Sequence, residues 1–308
     1  MKEATFFSPV SDWGFKRIFG SEANRNLLRY LLNTIIDDKN IVEVTLLDTE
    51  HEYMAVEGGK SIFDVYCTCD DGSRIIVECQ KTGNTNFKDR AFAYSAMAVM
   101  DQAVRHWDYN LDKLYFIGIT TFNLFPGREE YFTKAQIMDP ETPGRVIYDN
   151  YLQIYIELSK FASDDTELSS ARDELLYVLR NLRNMDSIPD WVATRNDELT
   201  QICNTALIKD LSDKEKEEYM SNEERERDYQ QSIEQTAKAK FEEGLEEGLE
   251  KGLQEGLEKG LEKGLEKGRS EGESKKQLEI AKSMKEDGLD PEMISRYCGL
   301  ATEKVKLL

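Results

Sequence analysis

Hydrophobic positions recur at helical spacing in the first segment, "FFSPVSDWGFKRIFGSEANRNLLRYLLNTII": Phe15, Ile18 and Phe19, then Leu27, Leu28, Leu31, Leu32 and Ile35. Gly20-Ser21 divides the run, which predicts a short helix and then a longer one. "IVEVTLLDTE" (41–50) alternates as a strand, and "FDVYCTCDDGSRIIVECQK" (63–81) reads as a hairpin turning at Asp70-Asp71-Gly72. Residues 90–107 return to helical spacing, and "KLYFIGITTFNLF" (113–125) is a nearly continuous apolar run, as expected of a strand covered on both faces. "YFTKAQIMD" and "LQIYIEL" add two strand candidates. Strands and helices mixed in this order predict a layered α/β domain over residues 1–163.

The pattern then changes. Residues 164–230 read as a charged helical region. Residues 231–272 contain a tetrapeptide repeat, with Gly at 244, 248, 252, 256, 260, 264, 268 and 272 and Leu after each of the first six. On a helix such a stripe drifts by about 40° per repeat, so Leu245 to Leu265 present no straight seam. Each exposed glycine costs about 1 kcal/mol against alanine. The repeat is therefore either a marginal helix serving as linker or oligomer handle, or a slippage-prone stretch of little function. Residues 273–308 form a small helical tail, either a helix-turn-helix or a plain helical hairpin.

The formal charge of −20 argues against a nucleic-acid partner, but the excess is uneven. Residues 1–163 hold 17 basic and 24 acidic side chains, and residues 164–308 hold 23 and 36. Total charge thus does not decide the partner. No run approaches the roughly 18 apolar residues of a membrane span, and Met1 is not followed by a basic-then-apolar leader. The five cysteines are odd in number, and the Cys67-x-Cys69 pair has no second Cys/His pair for zinc. A soluble cytoplasmic protein is the expectation. His51 and His106 have no nucleophile or ligand partner nearby in sequence and read as structural.

Asp64, Glu78 and Gln80 are poor strand residues inside the hairpin. A two-residue loop would oppose Asp64 to Cys79. A three-residue loop with Gly72 left-handed opposes Asp64 to Glu78 and Tyr66 to Ile76, and gathers Val65, Cys67, Val77 and Ile75 on one face. The second register is preferred because it keeps the apolar set together. It sets two carboxylates about 4.5–5.5 Å apart at their Cβ atoms, a repulsion that one divalent cation removes. The Cys79 carbonyl can supply another oxygen, and Gln80 lies on the Glu78 face, placed to hold a water. Such an ion makes water more acidic and promotes attack on a phosphodiester. The plainer alternative is a set of polar residues on the wet face of an amphipathic hairpin.

These residues resemble the PD-(D/E)XK nuclease superfamily, in particular the Rpn family of recombination-promoting nucleases and transposases. Asp64 fits the motif's Asp, Glu78 its Glu, and Gln80 stands where most of the superfamily has Lys; Glu-x-Gln is the form the Rpn-like group carries. "SPVSDWGFKRIFG" (8–20), "RAFAYSAMAVMDQ" (90–102), "IGITTFNLFP" and "IELSKF" (156–161) are similar to further segments of that family, in order.

The resemblance implies a restriction-endonuclease-like mixed sheet flanked by helices, followed by a helical C-terminal region. It also implies a Mg²⁺- or Mn²⁺-dependent DNA endonuclease acting in recombination or transposition. Asp64 and Glu78 would be ligands with the Cys79 carbonyl, and Gln80 would position water. Asp12 reads as an N-cap or as a further ligand, the cap first. Arg90 and Tyr94, one turn apart, contact phosphate or else pair and pack. Lys81 and Lys88 are candidate phosphate contacts. No membrane partner is expected, and a homo-oligomer through the C-terminal helices is. Two other readings use the same site: a catalytically weak DNA-binding or oligomerising protein, and an RNase or self-directed defence toxin.

Overall fold

The computed structural model describes residues 4–48, 50, 51, 61–81, 83, 86–105, 110–162 and 164–308. His106 and the side chain of His51 lie outside the described residues. The chain divides into two compact units, residues 1–230 and 231–308.

In the first unit, α1 (Asp12–Phe19) and α2 (Arg25–Ile35) precede β1 (Val44–Leu46), β2 (Glu50–His51), β3 (Ser61–Ile62), β4 (Val65–Cys69) and β5 (Arg74–Gln80). Next come α3 (Phe87–Arg105), β6 (Leu114–Thr120), β7 (Phe132–Met138) and β8 (Val146–Glu157). α4 (Ala171–Asn181), α5 (Asp190–Arg195) and α6 (Asp197–Thr205) follow, and α7 (Asp213–Glu286) begins in this unit. Six strands form one mixed sheet in the order β1-β4-β5-β6-β8-β7; β2 and β3 pair apart from it. β5, β6 and β8 are parallel, and the remaining neighbours are antiparallel.

The fold is α/β, a restriction-endonuclease-like mixed sheet with helices on both faces and a helical C-terminal region. Period-two alternation splits the strands between two cores. Val65, Cys67, Ile75, Val77, Ile117 and Ile154 pack with α1, α2, α4 and α6. Tyr66, Ile76, Phe116 and Tyr155 pack with Phe87, Ala91 and Ala98 of α3. The wet hairpin face is therefore absent: Tyr66 and Ile76, opposite the apolar set, are as buried as Val65 and Val77. The plainer alternative, polar residues on a wet hairpin face, does not hold. All five cysteines are free and buried.

The hairpin register is the three-residue one. Val65 pairs with Val77, Tyr66 with Ile76, Cys67 with Ile75 and Thr68 with Arg74. Gly72 takes φ +85°, the left-handed conformation that L side chains resist. Asp71 Oδ1 accepts the Ser73 N–H at 3.0 Å and closes the turn.

At the far end of the sheet, the carboxylate of Glu157 is fully buried. Its Oε1 accepts the N–H groups of Leu124 (2.6 Å) and Phe125 (3.0 Å), and Oε2 accepts Lys160 Nζ at 2.7 Å. Lys160 also donates to the Phe125 carbonyl at 2.9 Å, so the "IELSKF" segment staples the loop after β6.

In the second unit, α7 carries the whole Gly-Leu repeat as helix. Glu-to-Lys pairs four residues apart, Glu247–Lys251 (2.6 Å) and Glu255–Lys259 (3.1 Å), each contribute about 0.3–0.5 kcal/mol against the glycine cost. α8 (Pro291–Cys298) and α9 (Thr302–Lys306) close a small core of Ala281, Ile294, Cys298 and Val305.

Removing the Glu157 carboxylate leaves a buried ammonium and two orphaned N–H groups. Glu157→Ala is expected to lower the unfolding free energy by about 3–5 kcal/mol in urea titrations followed by circular dichroism, with Glu157→Gln costing less. A loss below about 1 kcal/mol would show that the loop does not depend on this carboxylate.

Candidate active site

Three elements converge at the end of β5. Carried one step past Val65–Val77, the hairpin register sets Asp64 opposite Glu78. The two carboxylates are locked reciprocally. The Asp64 N–H donates to Glu78 Oε1 (3.1 Å), and the Cys79 N–H donates to Asp64 Oδ2 (2.9 Å). Each carboxylate thus spends one oxygen on the opposing strand and presents the other to a cation. Asp64 Oδ1 faces Lys16 Nζ at 3.2 Å, and Glu78 Oε2 faces Arg90 at 4.0 Å.

Those cations come from the helices on the two faces. Ser8 to Ser11 form a turn in which Ser11 Oγ donates to the Ser8 carbonyl (2.8 Å) and accepts the Gly14 N–H (3.1 Å). Ser11 is therefore the N-cap of α1, which corrects the reading of Asp12 as the cap. Gly14 is required here, since a Cβ would stand 2.1 Å from the Ser8 carbonyl oxygen. Asp12, one residue inside the helix, ion-pairs with Lys16 at 2.5 Å. On the other face, Arg90 of α3 donates to Gln80 Oε1 and lies over the rings of Phe87 and Tyr94. Tyr94 packs edge-on against Phe63.

These residues line a cavity of about 300 Å³: Asp12, Lys16, Asp64, Glu78, Cys79, Gln80, Lys81, Arg90, Tyr94, Glu226 and Tyr229. A family model described as PD-(D/E)XK nuclease family transposase matches residues 9–236. The chain belongs to that family. No curated protein and no solved structure matches it.

The PD-(D/E)XK match begins just before α1 and ends within α7, so it includes every residue that lines the cavity. Of the residues singled out from the sequence, Asp64, Glu78, Cys79, Gln80, Asp12, Arg90, Tyr94 and Lys81 come together there. Lys88 does not; it is exposed, with its ammonium over the Phe125 ring. Lys81 is held by Glu226 at 2.5 Å. Lys16, Glu226 and Tyr229 were missed. Lys16 had a signal, four residues after Asp12 and so on the same helical face. Glu226 and Tyr229 had none, because nothing local indicates that α7 lies against the end of β5.

The Asp64 and Glu78 side chains are 9% and 6% exposed. Burial pushes the Asp64 carboxyl up to about 6, with Lys16 pulling the other way. Burial and the neighbouring Asp64 raise Glu78 well above the usual carboxylate range. An all-oxygen pair of anions that burial and mutual repulsion both destabilise fits a hard divalent ion. Among the described residues no three His, Cys, Asp or Glu side chains converge on one point. A hard divalent ion held by two carboxylates takes its remaining oxygens from water and phosphate.

Carboxyls with raised pKa bind protons more tightly in the folded than in the unfolded chain. For Asp64 that contribution to stability is complete below the ordinary range near pH 4 and is lost as pH rises through about 6, and Glu78 adds a loss in the same direction. A divalent ion competes with those protons. Saturating Mg²⁺ or Mn²⁺ is expected to raise the melting temperature by about 5–10 °C at pH 7.5 and by less than about 1 °C at pH 5. An equal rise at both pH values would exclude Asp64 and Glu78 as the ion's ligands.

Proposed function

We propose that the chain is a Mg²⁺- or Mn²⁺-dependent DNA endonuclease acting in recombination or transposition. The observation that supports this reading best is the reciprocal lock between Asp64 and Glu78, which aims one oxygen of each at the same cavity. Asp64, Glu78 and the Cys79 carbonyl would hold the ion. When bound, the ion acidifies water and offsets charge developing on the phosphate. Gln80, with its oxygen held by Arg90, orients the attacking water. The water oxygen bonds phosphorus, its proton passes to solvent, and the P–O ester bond breaks. The departing alkoxide takes a proton from solvent. Lys81, once released from Glu226, and Lys88, outside the cavity, would contact backbone phosphates.

A second reading, a catalytically weak DNA-binding or oligomerising protein, draws on the acidic surroundings. Glu226 already occupies Lys81, and Gln80 brings no positive charge of its own. The repeat's leucines, 64–76% exposed, support the oligomer part of this reading.

Plasmid and single-stranded RNA incubated with the wild type and with Asp64→Asn separate these. The expected result is cleavage of duplex DNA that EDTA abolishes and that Asp64→Asn lowers at least about a hundredfold. Cleavage that survives the substitution or the chelator would sink the assignment. Preference for RNA would redirect it to ribonuclease chemistry.

A further inference from the structure

The cavity lining carries four acids, Asp12, Asp64, Glu78 and Glu226, against three cations, Lys16, Lys81 and Arg90. A phosphodiester brought there adds a negative charge, and more gathers on its oxygens as water attacks. A cation able to turn toward that phosphate is therefore needed, and the three differ in what holds them. Lys81 is pinned to Glu226 at 2.5 Å. Arg90 is held by Gln80 and stacked over Phe87 and Tyr94, which makes it a positioning residue. Lys16 is shared. Its Nζ lies 2.5 Å from Asp12 Oδ1 and 3.2 Å from Asp64 Oδ1, and its side chain is 35% exposed at the end of a flexible stem.

We propose that Lys16 is the catalytic cation that turns from Asp64 to the scissile phosphate when a divalent ion takes the Asp64 carboxylate. The proposal rests on the metal-dependent nuclease reading and deepens it. Asp64 Oδ2 is already committed to the Cys79 N–H, so Oδ1 is the oxygen left for an ion, and Lys16 stands on it. Two cations on one carboxylate oxygen repel each other, and the ammonium is the mobile one. Asp12, whose side chain is 55% exposed one turn earlier on α1, keeps the displaced ammonium at the rim of the cavity. No bond to Lys16 forms or breaks and no proton leaves it; it contributes charge. Gln80 is neutral, so β5 supplies no such charge from that position.

Lys16→Met keeps the aliphatic stem and removes the charge. Two readouts on the full chain test the proposal: calorimetric binding of Mn²⁺ alone, and single-turnover cleavage of duplex DNA in Mg²⁺. Removing the competitor is expected to tighten Mn²⁺ binding about two- to fivefold. The cleavage rate is expected to fall about a hundredfold. Lys16→Arg is expected to keep the wild-type Mn²⁺ affinity and at least about a tenth of the rate, the charge being retained.

A lysine that only buttressed the fold would, on replacement, weaken both properties. Weaker Mn²⁺ binding by folded Lys16→Met, or a wild-type cleavage rate, overturns the proposal. Should circular dichroism show that Lys16→Met does not fold, Lys16→Arg decides: retained affinity and rate support the proposal, and a folded Arg variant without cleavage overturns it. A wild type that neither binds Mn²⁺ nor cleaves would instead defeat the nuclease reading, and this proposal with it.

Discussion

Two carboxylates buried side by side on adjoining strands repel each other, and each also resists leaving water. The site tolerates the pair because Asp64 and Glu78 each accept an N–H from the other's strand. That exchange holds one oxygen of each group and leaves the second to be matched by positive charge. The rest of the site follows from the need for that charge. A one-residue slip in the hairpin would turn Asp64 toward Cys79 and dissolve the arrangement, so the turn at Gly72 is part of the chemistry.

The matching charge arrives from both faces of the sheet, and that explains why the hairpin must be buried on both. α1 brings Lys16 to Asp64, and α3 brings Arg90 to Glu78 and Gln80. The same helices close the two cores, with Phe15, Ile18 and Phe19 on one side and Phe87, Ala91 and Ala98 on the other. Packing and site assembly are thus one event. The cap at Ser11 and the close approach at Gly14 orient α1, and Cys79 Sγ meets the Val10 carbonyl at 3.5 Å where α1 and β5 join. Gly118, paired with Glu78 across β5 and β6, leaves room for the Phe87 ring over which Arg90 lies.

Much of this was legible locally. The two-helix start, the fully buried β6 and the three-residue turn follow from apolar spacing and from a glycine where only a left-handed residue fits. Asp64, Glu78 and Gln80 stood out because strands disfavour them. The error at Asp12 has a local cause, since Ser11 and Asp12 are both capping residues and only the turn geometry chooses between them. Local pattern left the one-sided hairpin open as an alternative. Cysteine, threonine and tyrosine alternate there in a pattern that does not distinguish water from α3 as the neighbour.

The sequence by itself determined the first two helices, α3, the central strands of the sheet, the hairpin register and the family. Each of these rests on spacing along the chain, on turn conformation or on a motif of a few residues. Only the tertiary structure decided which charges meet. Lys16 lies 48 residues from Asp64 and Glu226 lies 145 from Lys81, distances over which no periodicity carries information. Their pairing depends on how α1 and α7 pack against the end of β5, and packing is chosen by the whole core at once.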